Sequence, residues 1–205
     1  MITTAIKQAE DAGLGNVTFA TCDVEATKFK QTFDYAFSRM GTMFFANPAA
    51  ALRNVRETLA PGGRLNMVVW RRKLDNEWLH RAELVVAEYL EEPEESDVPR
   101  CGPGPFSMAN ADTVTDVLKH AGYEDIRLAR QDLPYKVGTN LDEAIAVNLA
   151  IGPAAEVLRM WGDRVDDIRP KIAADLRAAL ADLVIDGGAV VAGSSTWAVT
   201  ARAPL

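Results

Sequence analysis

Two short apolar runs separated by one helix constrain the fold of this chain more than any other feature. Residues 33–38 and 64–70 are mostly apolar and do not alternate strictly with polar residues, which is typical of strands buried on both faces of a parallel sheet. Between them, Asn47-Pro48 predicts a helix start, because asparagine caps the first turn and proline fits the first helical position. A strand–helix–strand unit predicts an α/β sheet with right-handed crossovers.

Further periodic segments complete the predicted sheet and its helices. The other predicted strands cover 17–21, 123–130 and 195–203, and the other predicted helices cover 1–12, 76–90, a segment beginning after Asn110, and a helical block over 141–185. Trp197, Val199 and Ala201 alternate with their neighbours, so the last strand is expected to be half-exposed and antiparallel to the strands beside it. No linker interrupts the pattern, so residues 1–205 are interpreted as one domain with helical insertions around 76–110 and 141–185.

Composition excludes several classes of function. The 205 residues include 22 Lys and Arg and 29 Asp and Glu, which gives a formal net charge of −7. This negative charge is unfavourable for binding the phosphates of nucleic acids. The two cysteines, Cys22 and Cys101, do not form a disulfide framework and lack zinc-ligand spacing, so no metal is expected. No apolar run reaches the roughly 18 residues of a membrane span, and no signal peptide opens the sequence. These features predict a cytoplasmic globular protein without a membrane partner.

Candidate site residues follow two of the predicted strands. Asp23 comes directly after 17–21, and Ser38-Arg39-Met40-Gly41 follows 33–38, so both groups are expected at the carboxyl edge, where open α/β sheets bind ligands. A carboxylate at this edge can accept a hydrogen bond from a ligand amine or hydroxyl. On position alone, Asp23 also fits the start of a turn, and Arg39 also fits a solvated loop charge.

Other sequence features give weaker evidence for a functional site. Gly13-Leu14-Gly15 follows a helix and precedes a strand, the reverse of the order in a phosphate-binding loop, so it is interpreted as a helix stop. His80, beside Trp78 in a predicted helix, could line a pocket or simply pack. Because the sequence has neither a nucleophile elbow nor a zinc-protease motif, hydrolysis is disfavoured. The chemistry is expected to depend on binding and positioning.

Several short stretches in a fixed order carry a resemblance to a known family. They are Ala9–Gly13 with 16–19, Asp23, Phe33-Asp34 running into Ser38-Arg39-Met40-Gly41 and Met43-Phe44-Phe45, Leu59-Ala-Pro-Gly-Gly-Arg64 into Trp70, Gly104-Pro-Phe-Ser-Met-Ala109, and Leu118-Lys-His-Ala-Gly122. Together they resemble the class I S-adenosylmethionine (SAM) dependent methyltransferases, in the small-molecule group that includes the ubiquinone/menaquinone-biosynthesis type. The resemblance spans nearly the whole chain and implies a Rossmann-like sheet with flanking helices, SAM as cofactor and a small-molecule substrate.

The resemblance also implies residue roles. The implied cofactor-binding residues are Asp23 at the adenine amino group, Val24 beside the ring, and Ser38, Arg39 and Met40 beside the methionine moiety. The implied substrate-binding residues are Trp70, His80 and Phe106, with the surrounding segments forming a substrate cover. Because SAM carries an activated methyl group, in-line transfer can rest on proximity and desolvation without a dedicated base.

One departure from the family pattern sets further expectations. In the family, a first strand with a glycine-rich loop and a second strand ending in an acidic residue precede the helix on which this sequence begins. We therefore expect an N-terminally incomplete sheet that binds SAM weakly, with 17–21 paired directly to 33–38 or a homodimer covering that edge. The alternative function is a catalytically inactive methyltransferase-like fold that serves as an interaction or dimerisation module. An unrelated nucleotide-using α/β enzyme is less favoured, because a phosphate-cradling loop is missing.

Overall fold

The computed structural model describes residues 2–90 and 103–205, and its centre is one mixed sheet. The strands are β1 (Phe33–Arg39), β2 (Leu59–Trp70), β3 (Glu124–Gly138) and β4 (Val190–Arg202), in the order β1-β2-β4-β3. β1 is parallel to β2, while β4 runs antiparallel to both β2 and β3. This confirms that the four predicted segments share one sheet, with 64–70 inside it and the last strand antiparallel.

Seven α-helices flank the sheet in the described part of the chain. They are α1 (Ile2–Asp11), α2 (Pro48–Glu57), α3 (Glu77–Ala87), α4 (Ala111–His120), α5 (Leu141–Ala150), α6 (Pro153–Trp161) and α7 (Arg169–Ala179). The helical block over 141–185 is thus three helices, interrupted at Gly152 and Gly162, whose φ angles of 95° and 56° favour glycine. The acidic run at 91–97, a composition typical of a solvated turn, lies outside the described residues.

The starts of α2 and α4 follow from local chemistry. The Asn47 side chain accepts a hydrogen bond from Ala50 N at 3.0 Å, and Pro48 occupies the first helical position. The Asn110 side chain likewise accepts from Asp112 N at 2.8 Å. Each cap satisfies a backbone donor that the first helical turn leaves without a partner. Both predicted helix starts are confirmed.

The buried apolar side chains form two separate hydrophobic cores. The first lies between α2, α4 and the sheet face that carries Leu65, Met67 and Val69. The second is formed by α3, α5, α6 and α7 against the far end of the β3–β4 ribbon, at Val137 and Ala192. The sheet therefore carries helices on one face near β2 and a separate helical layer beyond the end of β2.

The predicted strand at 17–21 is wrong. These residues form no strand, and Val17 and Phe19 are exposed. The direct pairing of 17–21 with 33–38 is wrong as well, because β2 is the one strand that pairs with β1 among the described residues. A β-type composition favours an extended backbone, but a strand also needs a ladder partner, and this depends on the tertiary fold.

The prediction that β1 is buried on both faces is also wrong. Phe33, Tyr35 and Phe37 alternate on one face of the strand and are exposed, Phe37 by 62%. Apolar content alone does not reveal which face a neighbouring element covers. In β1, no described helix covers this face or the outer edge.

Pro61-Gly62-Gly63, a combination typical of a turn, lies within β2. Gly62 has a φ of 74°, and the β1–β2 pairing jumps from Phe33 opposite Leu59 to Tyr35 opposite Arg64. A Cβ on Gly63 would lie 2.8 Å from the Ala60 carbonyl oxygen. The glycines thus permit a bulge that re-aligns β2 with its neighbour.

The first core predicts a large difference between two leucines on helices. Leu118 of α4 is 0% exposed, whereas Leu84 of α3 is 54% exposed. We expect Leu118→Ala to lower the free energy of unfolding by about 2–5 kcal/mol, because it leaves a cavity. Leu84→Ala, which has the same change in helix propensity, is expected to stay within about 0.5 kcal/mol. Urea denaturation of both variants provides the measurement, and equal losses would contradict the assigned core.

Candidate active site at the carboxyl ends of the parallel strands

The chain turns sharply where β1 ends. Met40 N donates to Val68 O at 2.9 Å, and Met40 has a φ of 57°, in the left-handed region. That conformation costs a non-glycine residue roughly 1–2 kcal/mol, so the surrounding contacts must hold it. At Gly41, a Cβ would lie 3.1 Å from Ser38 Oγ. Ser38, Met40 and Gly41 therefore form one tight corner beside the end of β2.

Met43 joins three segments at this corner. Its carbonyl oxygen accepts hydrogen bonds from Gly104 N at 3.0 Å and Ser107 Oγ at 2.7 Å. Its Sδ atom accepts from Trp70 N at 3.3 Å, and the side chain is buried. The ends of β1 and β2 and the segment that carries Phe106 are thus brought together at Met43.

Thr42 adds an unusual polar group to the same corner. The residue is buried, and its Oγ1 atom has no hydrogen-bond partner among residues 2–90 and 103–205. A buried hydroxyl without a partner costs free energy, so such groups are rare in folded proteins. Its place between Gly41 and Met43 makes it a candidate contact for a polar ligand.

Aromatic rings extend the site from β2 towards α3. The rings of Trp70 and Tyr135 meet edge to face at 6.4 Å, and Tyr135 stacks on Trp78 at 5.1 Å. Such pairs each contribute about 0.5–1.5 kcal/mol beyond the area that they bury. The row of rings fixes α3 against the carboxyl edge of the sheet.

His80 and Phe106 lie on the helical side of this region. His80 is half-buried on α3, with Nδ1 3.6 Å from Glu83 Oε2 one turn away. Phe106 packs against the core formed by α3, α5, α6 and α7. Trp70 belongs instead to the sheet-side core. The three predicted substrate residues therefore come from both layers, and their substrate contacts stay predictions.

Asp23 and Val24 lie in a turn that is fixed to α2. Asp23 Oδ1 accepts from Glu25 N at 2.9 Å, and Asn54 Nδ2 donates to Val24 O at 2.7 Å. Glu25 Oε1 also accepts from Asn47 N at 2.9 Å. Asp23 therefore does form a turn, one of the two roles that its position allowed. Its Oδ2 atom has no hydrogen-bond partner in the described chain, so the adenine contact stays a prediction.

Asn76 forms a buried link between β2 and β4 that no sequence motif indicated. Asn76 is 0% exposed, its Nδ2 donates to Ser195 O at 3.2 Å, and its Oδ1 accepts from Ser195 N at 2.9 Å. Nδ2 also donates to Arg72 O at 3.0 Å. An asparagine before a helix predicts a cap, but this side chain makes no cap hydrogen bond in α3. No sequence signal pointed to its partner.

A charged cluster surrounds this link. Arg71, only 8% exposed, pairs with Asp75 at 3.3 Å and lies over the Trp197 ring at 4.4 Å. The pKa of Asp75 is lowered, chiefly by its hydrogen bond from Arg72 and then by the nearby arginine charges, against the opposing effect of burial. The pKa of Asp132 is lowered by hydrogen bonds from Arg130 and Ser195. The Arg71 contact with Trp197 joins the end of β2 to β4, and the hydrogen bond from Ser195 Oγ to Asp132 joins β4 to β3.

Comparison with known families identifies the chain. A family model described as "Methyltransferase domain" matches residues 1–123, which include β1, β2 and the corner around Met43. The chain belongs to the methyltransferase-domain family. This confirms the resemblance to class I SAM-dependent methyltransferases, whereas the narrower likeness to the ubiquinone/menaquinone group stays a prediction.

Solved structures of methyltransferases share the fold. The domain matches a candidate methyltransferase from Bacillus halodurans at 16% sequence identity with a TM-score of 0.56. It matches the YcgJ protein from Bacillus subtilis at 16% sequence identity with a TM-score of 0.58. Each match covers 100% of this chain and 79% of the other chain. It also matches phosphoethanolamine N-methyltransferase 2 from Haemonchus contortus at 14% sequence identity with a TM-score of 0.50. This match covers 100% of this chain and 42% of the other chain. These matches confirm the Rossmann-like sheet with flanking helices.

A search of curated proteins gives no significant match. Within residues 2–90 and 103–205, none of the helices has the length and apolar character needed to cross a membrane.

Removing the Asn76 amide tests the link between β2 and β4. We expect Asn76→Ala to lower the free energy of unfolding by about 2–4 kcal/mol, because Ser195 N and O lose buried partners. Asn66→Ala, on β2 with no side-chain hydrogen bond in the described structure, is expected to cost less than about 1 kcal/mol. Chemical denaturation followed by tryptophan fluorescence compares them. Similar losses in both variants would exclude a structural link through Asn76.

The lowered pKa of Asp75 predicts an acid-dependent stability. A carboxyl group with a lowered folded-state pKa stabilises the fold above its unfolded pKa of about 3.9, and this contribution disappears as the pH falls through the folded value. At pH 7, Asp75→Asn is expected to cost about 1–3 kcal/mol, because Arg71 loses its partner. Urea titrations between pH 7 and pH 3 should show the two proteins converging at low pH. A pH-independent difference would contradict the ion pair.

Proposed function

We propose that the methyltransferase domain transfers a methyl group from SAM to a small-molecule acceptor in the cytoplasm. The observation that carries this proposal is the family match over residues 1–123, which covers the corner where β1 and β2 end. Parallel strands present their carboxyl ends to one side of the sheet, and α/β proteins bind ligands there.

Part of this corner fits SAM. Thr42 Oγ1, buried without a partner among the described residues, and the close approach of Gly41 to Ser38 Oγ provide a narrow polar surface. Ser38, Arg39 and Met40 would hold the methionine end of SAM. The Oδ2 atom of Asp23 would accept from the adenine amino group, with Val24 beside the ring.

The chain's own contribution is positioning and the exclusion of water. When bound, SAM supplies a methyl group on a positively charged sulfur, which is already activated for transfer. Trp70, His80 and Phe106 would line the acceptor, with Trp70 held in place by the Tyr135 ring. Holding two reactants in near-attack geometry can supply about 7–11 kcal/mol of the barrier reduction, so a general base is not required. The segments 76–90, 103–110 and 141–185 would cover the acceptor, while residues 91–102 of the predicted cover over 76–110 lie outside the described residues.

A structural relative supports the class of acceptor. The Haemonchus contortus enzyme is described in complex with phosphomonomethylethanolamine and S-adenosylhomocysteine, and a second structure of it in complex with SAM. Both matches have TM-scores of 0.50, and the chain covers 42% and 41% of those proteins. A small-molecule acceptor for this domain is consistent with that complex.

A second candidate function is an interaction module without catalysis. One observation favours it: Phe33, Tyr35 and Phe37 are exposed on one face of β1.

Titration with S-adenosylhomocysteine tests the proposed cofactor site. We expect weak but measurable binding to the 205-residue chain, and Asp23→Ala should weaken it by about 1–3 kcal/mol, because the ligand amine loses a charged acceptor. Asp34→Ala is the matched control, since Asp34 lies earlier in β1 and should leave the affinity unchanged. Saturation-transfer NMR extends the measurement to weak complexes.

The outcomes separate the two candidate functions. Equal affinities for the wild type and Asp23→Ala would reject the assigned role of Asp23. Complete lack of binding by the folded wild type, together with no methyl transfer from labelled SAM, would favour the interaction module.

A further inference from the structure

The segment that leads into α4 contacts both hydrophobic cores. Phe106 packs against the core formed by α3, α5, α6 and α7. Met108, two residues later, is 2% exposed and lies in the core between α2, α4 and the sheet. The bridging segment, residues 104–109, therefore joins the helical layer to the layer around β2.

The first half of the bridging segment is fixed to the corner that follows β1. Met43 O accepts hydrogen bonds from Gly104 N at 3.0 Å and from Ser107 Oγ at 2.7 Å. Because a carbonyl oxygen has two lone pairs, these two donors use its whole capacity. Met43 is 1% exposed and directly follows Thr42, whose buried Oγ1 is a candidate ligand contact. The serine hydroxyl thus connects the bridging segment to the proposed cofactor site.

The last residue of the bridging segment is held from β4. Trp197 Nε1 donates to Ala109 O at 2.9 Å, and a half-buried indole N–H needs such an acceptor. The guanidinium carbon of Arg71 lies 4.4 Å from the centroid of the Trp197 ring, a favourable cation–π contact. Arg71 is 8% exposed and pairs with Asp75 at 3.3 Å. Trp197 is therefore confined on both sides and offers a donor in a fixed place.

The composition of the bridging segment suits a rigid element. Pro105 fixes its own φ near about −65° and restricts the backbone of Gly104 before it. Since the loosened segment then has fewer conformations, less entropy opposes its ordering. None of residues 104–109 carries a charge, so packing and hydrogen bonds set its position rather than ion pairs.

We propose that Ser107 and Trp197 are positioning residues of the methyl-transfer site. They hold the bridging segment as a wall beside the carboxyl ends of β1 and β2, so that the Phe106 ring is in place before the acceptor binds. A wall formed in advance avoids the cost of ordering it on binding. The inference rests on the proposed function, because that function assigns Phe106 to the acceptor. Neither positioning residue needs to touch the acceptor or the cofactor.

The two attachments should differ in what they control. Ser107 bonds to Met43, the neighbour of Thr42, so removing its hydroxyl loosens both the bridging segment and the proposed cofactor contact. Trp197 holds only the end of the segment next to α4, so removing its N–H loosens the segment and leaves the cofactor contact intact. A merely structural role would instead change stability and cofactor affinity in parallel for both residues.

Amide hydrogen exchange in the full chain tests whether these residues fix the segment. In Ser107→Ala and in Trp197→Phe, which keeps an aromatic ring beside Arg71, the amides of the bridging segment should exchange about 3- to 10-fold faster, because local opening breaks one hydrogen bond fewer. The matched control is Ser194→Ala, which removes a serine hydroxyl that donates to Leu133 O at 3.0 Å outside the segment. It should leave these amides unchanged. Unchanged exchange in either test variant would overturn the role of that residue.

Titration with S-adenosylhomocysteine separates the two positioning residues. Ser107→Ala should raise the dissociation constant about 3- to 10-fold, because Thr42 is held less firmly. Ser107→Thr, which keeps the hydroxyl, should restore the wild-type affinity, and Trp197→Phe should leave it unchanged. Equal affinities of the wild type and Ser107→Ala, or equal losses in the alanine and threonine variants, would overturn the connection from Ser107 to the cofactor site.

The two measurements distinguish this inference from the proposed function. A folded wild type that binds no S-adenosylhomocysteine would reject the proposed function and, with it, the acceptor role of the wall. The exchange rates would still decide whether Ser107 and Trp197 fix the bridging segment. Binding by the wild type, together with unchanged exchange in Ser107→Ala and Trp197→Phe, would leave the proposed function standing and overturn the inference.

Discussion

Burial of one face of β2 determines where the rest of this structure lies. Leu65, Met67 and Val69 point into the core beneath α2 and α4, and fully burying side chains of this size stabilises a fold by about 1.5–3 kcal/mol each. A shift of one residue in β2 would turn these side chains towards the opposite face, so burial also sets the pairing register with β1 and β4. Through that register, the end of β1 comes to lie beside Val68 and Trp70, where the candidate site forms.

Local signals predicted most of the helices and strands, and the failures occurred where a segment depends on distant partners. The start of α2 was predictable because Asn47 and Pro48 act within one turn. The failure at 17–21 has the opposite cause, since an apolar run indicates extended backbone but not the presence of a ladder partner. The alternation of exposed aromatic residues in β1 was missed for a related reason. Which face is covered depends on elements far away in the sequence.

The same distinction applies to the candidate site. Ser38, Met40 and Trp70 were predictable as neighbours, because the ends of adjacent parallel strands meet at one edge. Met43 and Asn76 were not. Asn76 is 119 positions from its partner Ser195, and a hydrogen bond over that distance leaves no periodic pattern in one sequence. The residues that hold the site together were therefore harder to find than those expected to contact a ligand.

β1 links the two candidate roles of this methyltransferase domain. Its inner edge and carboxyl end build the corner around Met40 and Gly41, whereas its outer edge offers unpaired backbone groups beside exposed aromatic rings. A strand that is anchored on one side only can move more easily than a central strand, and the left-handed Met40 follows directly after it. Covering the outer edge would hold this corner more firmly. Any partner that covered the outer edge and stabilised this corner would, by thermodynamic linkage, bind more tightly when a ligand occupies the corner.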